Sequence, residues 1–304
     1  MRGLADSALL AVVAVGSVVA VPVLVRARWP RRSPAAAIAL WQALGLAGGT
    51  AAVGTLLMVA LPGDGDGVVR ALQKLPAAIH DPQQPVTALR LLCLAAALAL
   101  FSLLCWVLAA VTVTVIYARR RQRELLALLA HGDPKVPGAL VLDHPAAAAY
   151  CVPGLRSKIV VSAGALELLG DAELAAVLAH ERAHLRERHD LVLLPFTALR
   201  RAFPRSHACA EAYREVAMLV EMLADDRALR ARPARELVSA LVRVGTAGQV
   251  SVGTLAVMAG SDSEVTARVN RLLRPRHPLP APVIAGICLG SAVLAVAPMV
   301  LLIS

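Results

Sequence analysis

Charge is scarce in this chain. Asp, Glu, Lys and Arg make up 17% of its 304 residues, where an ordinary soluble domain carries roughly 25%. With 58% of residues hydrophobic and a mean hydropathy of +0.67, too little polar surface remains to coat a soluble fold of this length, so a membrane protein is expected. Aromatic rings are rarer still, at 3%. Without rings interleaved among basic side chains there is no platform for stacking bases, and the net charge of +10 does not make a nucleic-acid surface; no direct nucleic-acid binding is expected. Lysine is almost missing, with only Lys74, Lys135 and Lys158 beside many arginines, a bias typical of a GC-rich bacterial genome. Of the few cysteines, Cys93, Cys105 and Cys288 fall in apolar runs. Cys151 and Cys209 stand apart, and no pair has the spacing of a zinc knuckle or a disulfide framework. Buried structural thiols in a reducing compartment are the expected reading.

What the chain has in abundance is long uncharged runs. Ala8–Val25, Ala35–Leu61, Leu91–Tyr117 and Ala281–Ile303 are each long enough to cross a bilayer. The first follows Arg2 as a secretory leader would. It lacks a small-x-small cleavage site, however, and stops at Arg26-Ala27-Arg28-Trp29-Pro30-Arg31-Arg32, a stop-transfer pattern, so it reads as a retained span. Arginines cluster between spans one and two and again at Arg119, Arg120, Arg121 and Arg123 after span three. The excess of positive charge places both clusters on the cytoplasmic side, next to anionic lipid. The loop Pro62–Arg90 mixes Asp64, Asp66 and Asp81 with Arg70, Lys74 and Arg90 and is read as external. The expected topology is N-terminus out, the segment between spans three and four in, C-terminus out.

That segment holds His180-Glu181-Arg182-Ala183-His184, an H-E-x-x-H string within the helix-forming stretch Asp171–Asp190. Residues four apart share a helix face, so His180 and His184 can both offer a ring nitrogen to one zinc ion, with Glu181 aimed at its water. Two histidines leave a zinc site incomplete, and a third ligand is expected on another helix. Glu221 opens Glu221-Met222-Leu223-Ala224-Asp225 inside the helical-looking Ala210–Arg230. It is assigned as that ligand, and Asp225 as the carboxylate that accepts the distal N–H of a ligand histidine. Such an ion keeps an open position for water, lowers the pKa of that water and polarises a carbonyl, while Glu181 serves as general base and then general acid. His207, Arg227 and Tyr213 are weak candidates for stabilising an oxyanion. They, with His144 and His189, are expected to be structural or solvated.

The expected division is 1–118 with three transmembrane helices (about 8–25, 35–61 and 91–117), 119–280 as a cytoplasmic zinc metallopeptidase domain, and 281–304 as the fourth transmembrane helix. The fold class is a mainly α membrane protein with an α+β zincin-type domain between its third and fourth spans. In that domain, Arg119–Ala130 continues span three until His131-Gly132-Asp133-Pro134 breaks it. Ala139–Leu142, Ala147–Gly154 and Lys158–Ser162 predict a small antiparallel sheet, whose edge suits a substrate strand. Helices are expected over Ser162–Leu169, Asp171–Asp190, Ala210–Arg230, Ala234–Gly245 and Ser263–Leu273, with Gly170-Asp171 starting the second. The nine-residue apolar run Leu191–Leu199 is too short to span, and either dips into the membrane or packs in the domain.

His144-Pro145, Ala149-Tyr150-Cys151-Val152-Pro153-Gly154, Ile159-Val160-Val161-Ser162, Glu173-Leu174, Leu178-Ala179-His180-Glu181 and Glu221 to Asp225 together resemble the integral-membrane zinc peptidases. The resemblance is to the M56 family, typified by β-lactam sensor–transducers and similar in its core to the M48 family of CAAX-processing and heat-shock membrane proteases. It covers roughly Leu140–Leu273. It implies His180, His184 and Glu221 as zinc ligands, Glu181 as catalytic base and Asp225 as the supporting carboxylate. The typical sensor carries a penicillin-binding domain after its last span, whereas this sequence stops at Ser304, so direct sensing of β-lactams is not expected.

The function expected is a zinc-dependent endopeptidase of the bacterial cell membrane. Its partners are the lipid bilayer and a cytosolic or membrane protein substrate, a transcriptional repressor among the candidates. Two alternatives stand beside it: an M48-like quality-control protease, and a membrane scaffold stapled by zinc without enzymatic activity. Oligomeric state is not legible.

Overall fold

The computed structural model describes residues 2–61, 87–134, 136–154, 157–248, 262–274 and 278–303, together with residues 68, 71 and 73. The loop Pro62–Arg90 lies almost wholly outside the described residues, as do Lys135 and the link Pro275-Arg276. Contacts divide the chain into two units, one of Met1–Val111, Leu194–Val216 and Pro278–Ser304, the other of Thr112–Leu193 and Ala217–His277.

The first unit is built from helices α1 (Arg2–Arg26), α2 (Pro34–Ala60), the front of α3 (Ala88–Leu129) and α10 (Ala281–Ile303). Four helices are long and apolar enough to cross a membrane, Ala5–Arg26, Pro34–Ala60, Ala88–Leu129 and Ala281–Ile303, in the places where the apolar runs predicted spans. Pro34 fits the first position of α2, where its missing N–H has no partner to lose. α2 packs against α1 and α10, and glycines permit both approaches. A Cβ on Gly48 would stand 2.9 Å from Ser17 Cβ, and one on Gly54 only 2.7 Å from Leu302 Cδ2. Val12, Val15, Leu92, Trp106, Val293 and Val300 point outward, a burden of exposed apolar surface that suits lipid rather than water. α3 has 42 residues, a length of about 63 Å, roughly twice the hydrocarbon core of a bilayer. Its apolar front suffices for a span, and its arginine-rich end belongs to the second unit.

The apolar run Leu191–Leu199 lies within helix α6 (His189–Ala202). From Leu194 onward it belongs to the unit of the spans. There Phe196 and Ala198 are buried, and Phe196 and Leu199 line an apolar cleft of about 1000 Å³ together with Gly45, Gly49 and Leu104.

The second unit contains a four-stranded sheet of β1 (Ala130–Gly132), β2 (Ala139–Leu142), β3 (Ala149–Val152) and β4 (Lys158–Ser162), in the order β1-β2-β4-β3. The expectation of an antiparallel sheet is corrected: β1–β2 and β3–β4 are antiparallel, but β2 and β4 run parallel. After β2 the chain crosses to the far edge, lays down β3 and returns beside β2 through the Pro-Gly turn, which fixes the direction of β4. The unbroken apolar run Ile159-Val160-Val161 fits that central position, buried on both faces. β1 gave no sequence signal of its own, because it is a three-residue extension of the end of α3. β3 pairs only with β4 among the described residues and forms an edge.

Helix α4 (Ala163–Leu168) starts from Ser162, whose Oγ accepts the N–H of Ala165 at 3.1 Å and that of Ala148 at 2.8 Å, stitching sheet to helix. Gly164 is required here by space, since a Cβ would lie 1.9 Å from the backbone oxygen of Pro145. Gly164→Ala is therefore expected to destabilise this unit by about 1–3 kcal/mol, as overpacking does, measured by chemical denaturation. Helix α5 (Asp171–Arg186) follows, its N-terminus held by Glu173, which accepts the Gly170 N–H at 2.9 Å. Leu174 and Leu178 of α5 join Val141, Ile159, Val161 and Ala240 in the core between the sheet and α8 (Ala234–Gly248). The helix expected over Asp171–Asp190 is shorter than the sequence suggests. It ends at Arg186, and Arg188 takes a positive φ of 50° before α6 begins. The helices α7 (His207–Ala228) and α9 (Asp262–Leu273) complete the set.

Candidate metal centre

α5 presents Leu174, Ala176, Leu178, His180 and Ala183 on its buried face. The H-E-x-x-H string is therefore not a solvated surface: its first histidine sits on the side that faces the core, and Arg182 and Arg186 take the outside. α7 meets it with a stripe in which Leu219, Val220, Met222 and Ala224 are buried and Asp225 is 0% exposed. The stripe's register places Glu221 and Asp225, one turn apart, toward the two histidines.

Ligand atoms of His180, His184 and Glu221 all lie within 4.8 Å of one another. His180 Nε2 and His184 Nε2 are 3.0 Å apart, Glu221 Oε2 is 3.4 Å from His180 Nε2, and Glu221 Oε1 is 3.5 Å from His184 Nε2. A tetrahedral zinc with bonds near 2.0–2.1 Å needs ligand atoms about 3.3 Å apart, so two imidazoles and a carboxylate at these separations fit that ion without rearrangement. The donor set also matches, because borderline-soft zinc favours imidazole with carboxylate.

Around these three stands a second layer. Asp225 Oδ1 lies 3.0 Å from His180 Nδ1. Asp225 in turn receives a fork from Arg268 of α9, with Nε donating to Oδ2 at 2.9 Å and Nη2 to Oδ1 at 2.7 Å. The third nitrogen, Nη1, reaches Glu221 Oε2 at 3.0 Å. Behind His184 stands His189, the two Nδ1 atoms 2.9 Å apart. Sequence reasoning missed Arg268 and placed His189 among structural residues. Arg268 had one signal, a charge set on the apolar side of α9 one turn before the buried Leu272. His189 had none, because its approach depends on the turn at Arg188. Cys151 on β3 brings its thiol against the Glu181 carboxylate, a contact made by folding and unreadable in spacing.

The electrostatics follow from this packing. Loss of solvent pushes the Glu181 carboxyl up to about 7, against the pull of His180. Burial opposes a charge on His180, but the Asp225 and Glu221 carboxylates, 3.0 and 3.4 Å from its ring nitrogens, outweigh it and raise the imidazole to about 10. Burial first, helped by the charges of His180, His189 and Arg268 and opposed by Glu221, drives His184 down to about 3. Desolvation works against the Glu221 carboxylate too, yet His180 and Arg268 hold it down at about 2. Asp225 is likewise held well below the ordinary carboxylate range, burial being overcome by the Arg268 charge. Burial and the adjacent Glu181 push the Cys151 thiol up to about 12, so it stays protonated and is no nucleophile. The oxyanion candidates are engaged elsewhere: Arg227 Nε pairs with Glu187 Oε1, His207 with Glu211, and the Tyr213 ring lies beneath the Arg200 guanidinium. His144, read as structural, accepts the Ala146 N–H at Nδ1.

Two histidines and a carboxylate converging beside a desolvated glutamate, in a chain with four helices able to cross a membrane, define a membrane-associated metallopeptidase. Residues 116–215 match the model of Peptidase family M48, which supports a peptidase of the M48-like zincin kind. The match takes in His180, Glu181 and His184 and stops before Glu221. Comparison with curated proteins finds no match, and comparison with solved structures finds none.

Proposed function

We propose that the protein is a zinc-dependent endopeptidase of the bacterial cell membrane, its peptidase domain on the cytoplasmic face. The observation that carries the reading is the convergence of His180, His184 and Glu221 at zinc-ligand separations with Glu181 beside them. His180 and His184 would hold the ion through Nε2 and Glu221 through a carboxylate oxygen. Bound there, zinc would supply Lewis acidity, lowering the pKa of water toward neutrality and polarising a carbonyl. Glu181 takes the proton from the attacking water onto its carboxylate and delivers it to the leaving amine. Asp225, anchored by Arg268, orients the His180 ring so that its Nε2 faces the ion. The free edge of β3 offers backbone groups to an extended peptide, and Cys151 on that strand touches Glu181, so a substrate strand paired there would run past the base. Substrates on this reading are cytosolic or membrane proteins; the narrower likeness to the M56 family makes a repressor one of them.

Elemental analysis of detergent-purified protein tests the site. Wild type is expected to carry about one zinc per chain, and Glu221→Ala to lose most of it, since open zinc sites of this kind rest on three protein ligands. Equal zinc in both, or none in either, overturns the assignment.

A further inference from the structure

In a continuous helix over Asp171–Asp190, positions 184 and 189 would lie on largely opposite faces, about 140° apart around the axis. The structure does otherwise. Arg188 sits at φ 50°, a left-handed conformation that residues other than glycine rarely take, and the turn swings His189 back over the end of α5. The His189 ring meets that of His184 edge-on, with centroids 4.7 Å apart at 89° and the two Nδ1 atoms at 2.9 Å. His189 is 2% exposed. Its Nε2 is buried without a hydrogen-bond partner and lies 3.7 Å from Glu187 Oε2, whose other oxygen Arg227 holds. Asp190 is tied to Arg119 of α3 at 2.7 Å. The turn is thus pinned on both sides of His189, so its neighbours hold the strained conformation that presents the ring to His184.

We propose that His189 is a positioning residue that sets the tautomer of His184, doing for the second histidine what Asp225 does for the first. The inference rests on the zinc reading above. Two ring nitrogens 2.9 Å apart share one proton, and the partner atoms dictate where it goes. His184 offers Nε2 toward His180 and Glu221, so that atom must keep its lone pair for a metal. The proton of neutral His184 then stands on Nδ1 and is donated to a bare Nδ1 of His189. Neutral His189 must in turn carry its own proton on Nε2, facing the Glu187 carboxylate, which the Arg227 charge keeps in place. Each ligand histidine is therefore backed toward a carboxylate held by an arginine, Asp225 and Arg268 for His180, and, beyond His189, the Glu187 carboxylate 3.7 Å from its Nε2 and Arg227 for His184. Supporting groups of this kind fix ring orientation and govern metal affinity.

Competition with a chromophoric chelator, using the full-length protein in detergent, tests this. His189→Phe keeps a buried ring without an acceptor and is expected to bind zinc about 10- to 100-fold more weakly than wild type. His189→Asn, whose amide oxygen can accept the His184 Nδ1–H, is expected to stay close to wild type. Equal weakening by both variants, or wild-type affinity in His189→Phe, overturns the proposal, as does a lowered melting temperature of the zinc-free protein with zinc affinity untouched. A measurement on wild type alone guards against a variant that does not fold. Nitrogen-15 histidine spectra of the zinc-loaded protein are expected to show His184 protonated at Nδ1 and His189 at Nε2. Tight zinc binding with His189 protonated at Nδ1 overturns this inference alone, whereas failure of wild type to bind zinc overturns the zinc reading and this inference with it.

Discussion

Glu181→Gln is expected to cut hydrolysis of a quenched fluorogenic peptide by about 10²- to 10⁴-fold, the range for loss of a general acid–base group, while zinc content stays at the wild-type level. The substitution keeps the shape and removes the ability to accept a proton. Glu181 is not one of the three converging ligands, so the ion has no reason to leave. A scaffold stapled by zinc gives the opposite result, because it has no proton to move and both proteins would be equally inactive. The same carboxyl fixes a pH dependence. Its pKa is raised to about 7 by loss of solvent, so the group is protonated and useless as a base below that pH and ionised above it. A bound cation stabilises the ionised form and can only lower this value. The acid limb of kcat/KM is therefore expected at or below about pH 7, with activity rising as the pH rises through it. An acid limb well above 7, or full activity in Glu181→Gln, would remove Glu181 from the reaction.

The parts of this site that were legible in the sequence are those that depend on one helix at a time. His180, Glu181 and His184 are related by helical spacing, and so are Glu221 and Asp225, so the pattern of each pair survives any arrangement of the rest. The four spans were legible for a similar reason: the composition of each run decides its fate against lipid without reference to its neighbours. What was not legible depends on the chain turning back. The reversal at Arg188 carries no glycine or asparagine to announce it, and the string Asp171–Asp190 reads as unbroken helix former. The parallel pairing of β2 with β4 follows from where β3 is laid down, which alternation within strands does not encode. Arg268 is separated from Asp225 by 43 residues, part of which lies outside the described residues, and the packing of α9 on α8 brings it there. The converging residues were local in sequence and those that pack behind them were not.

That support makes Arg268 the residue whose loss should be felt most in stability. Arg268→Met keeps the length and apolar stem of the side chain and leaves Asp225, 0% exposed, without its guanidinium and with only the His180 imidazole, 3.0 Å away, beside it. Removing one partner of a buried ion pair typically costs about 3–5 kcal/mol, and that loss is expected for the zinc-free domain in chemical denaturation. Its sign with pH can be worked out. Asp225 is held below the ordinary carboxylate range in the folded state by Arg268, and its unfolded value is near 3.9. The pair therefore stabilises the fold fully above that unfolded value and loses its contribution as pH falls toward the folded one. The deficit of Arg268→Met is expected to be largest near neutrality and to shrink below about pH 4. Zinc should act in the same direction, because a divalent charge beside Glu221 and His180 takes over part of what the guanidinium supplies. Adding zinc is expected to recover more stability in Arg268→Met than in wild type, provided the variant still binds it. A variant within about 1 kcal/mol of wild type at pH 7 would mean that Asp225 finds water instead, as relaxed buried charges do, and that the arginine serves geometry alone. The two outcomes separate an arginine that neutralises the carboxylates from one that only aims them, and the zinc-dependent difference tells which of these the metal can replace.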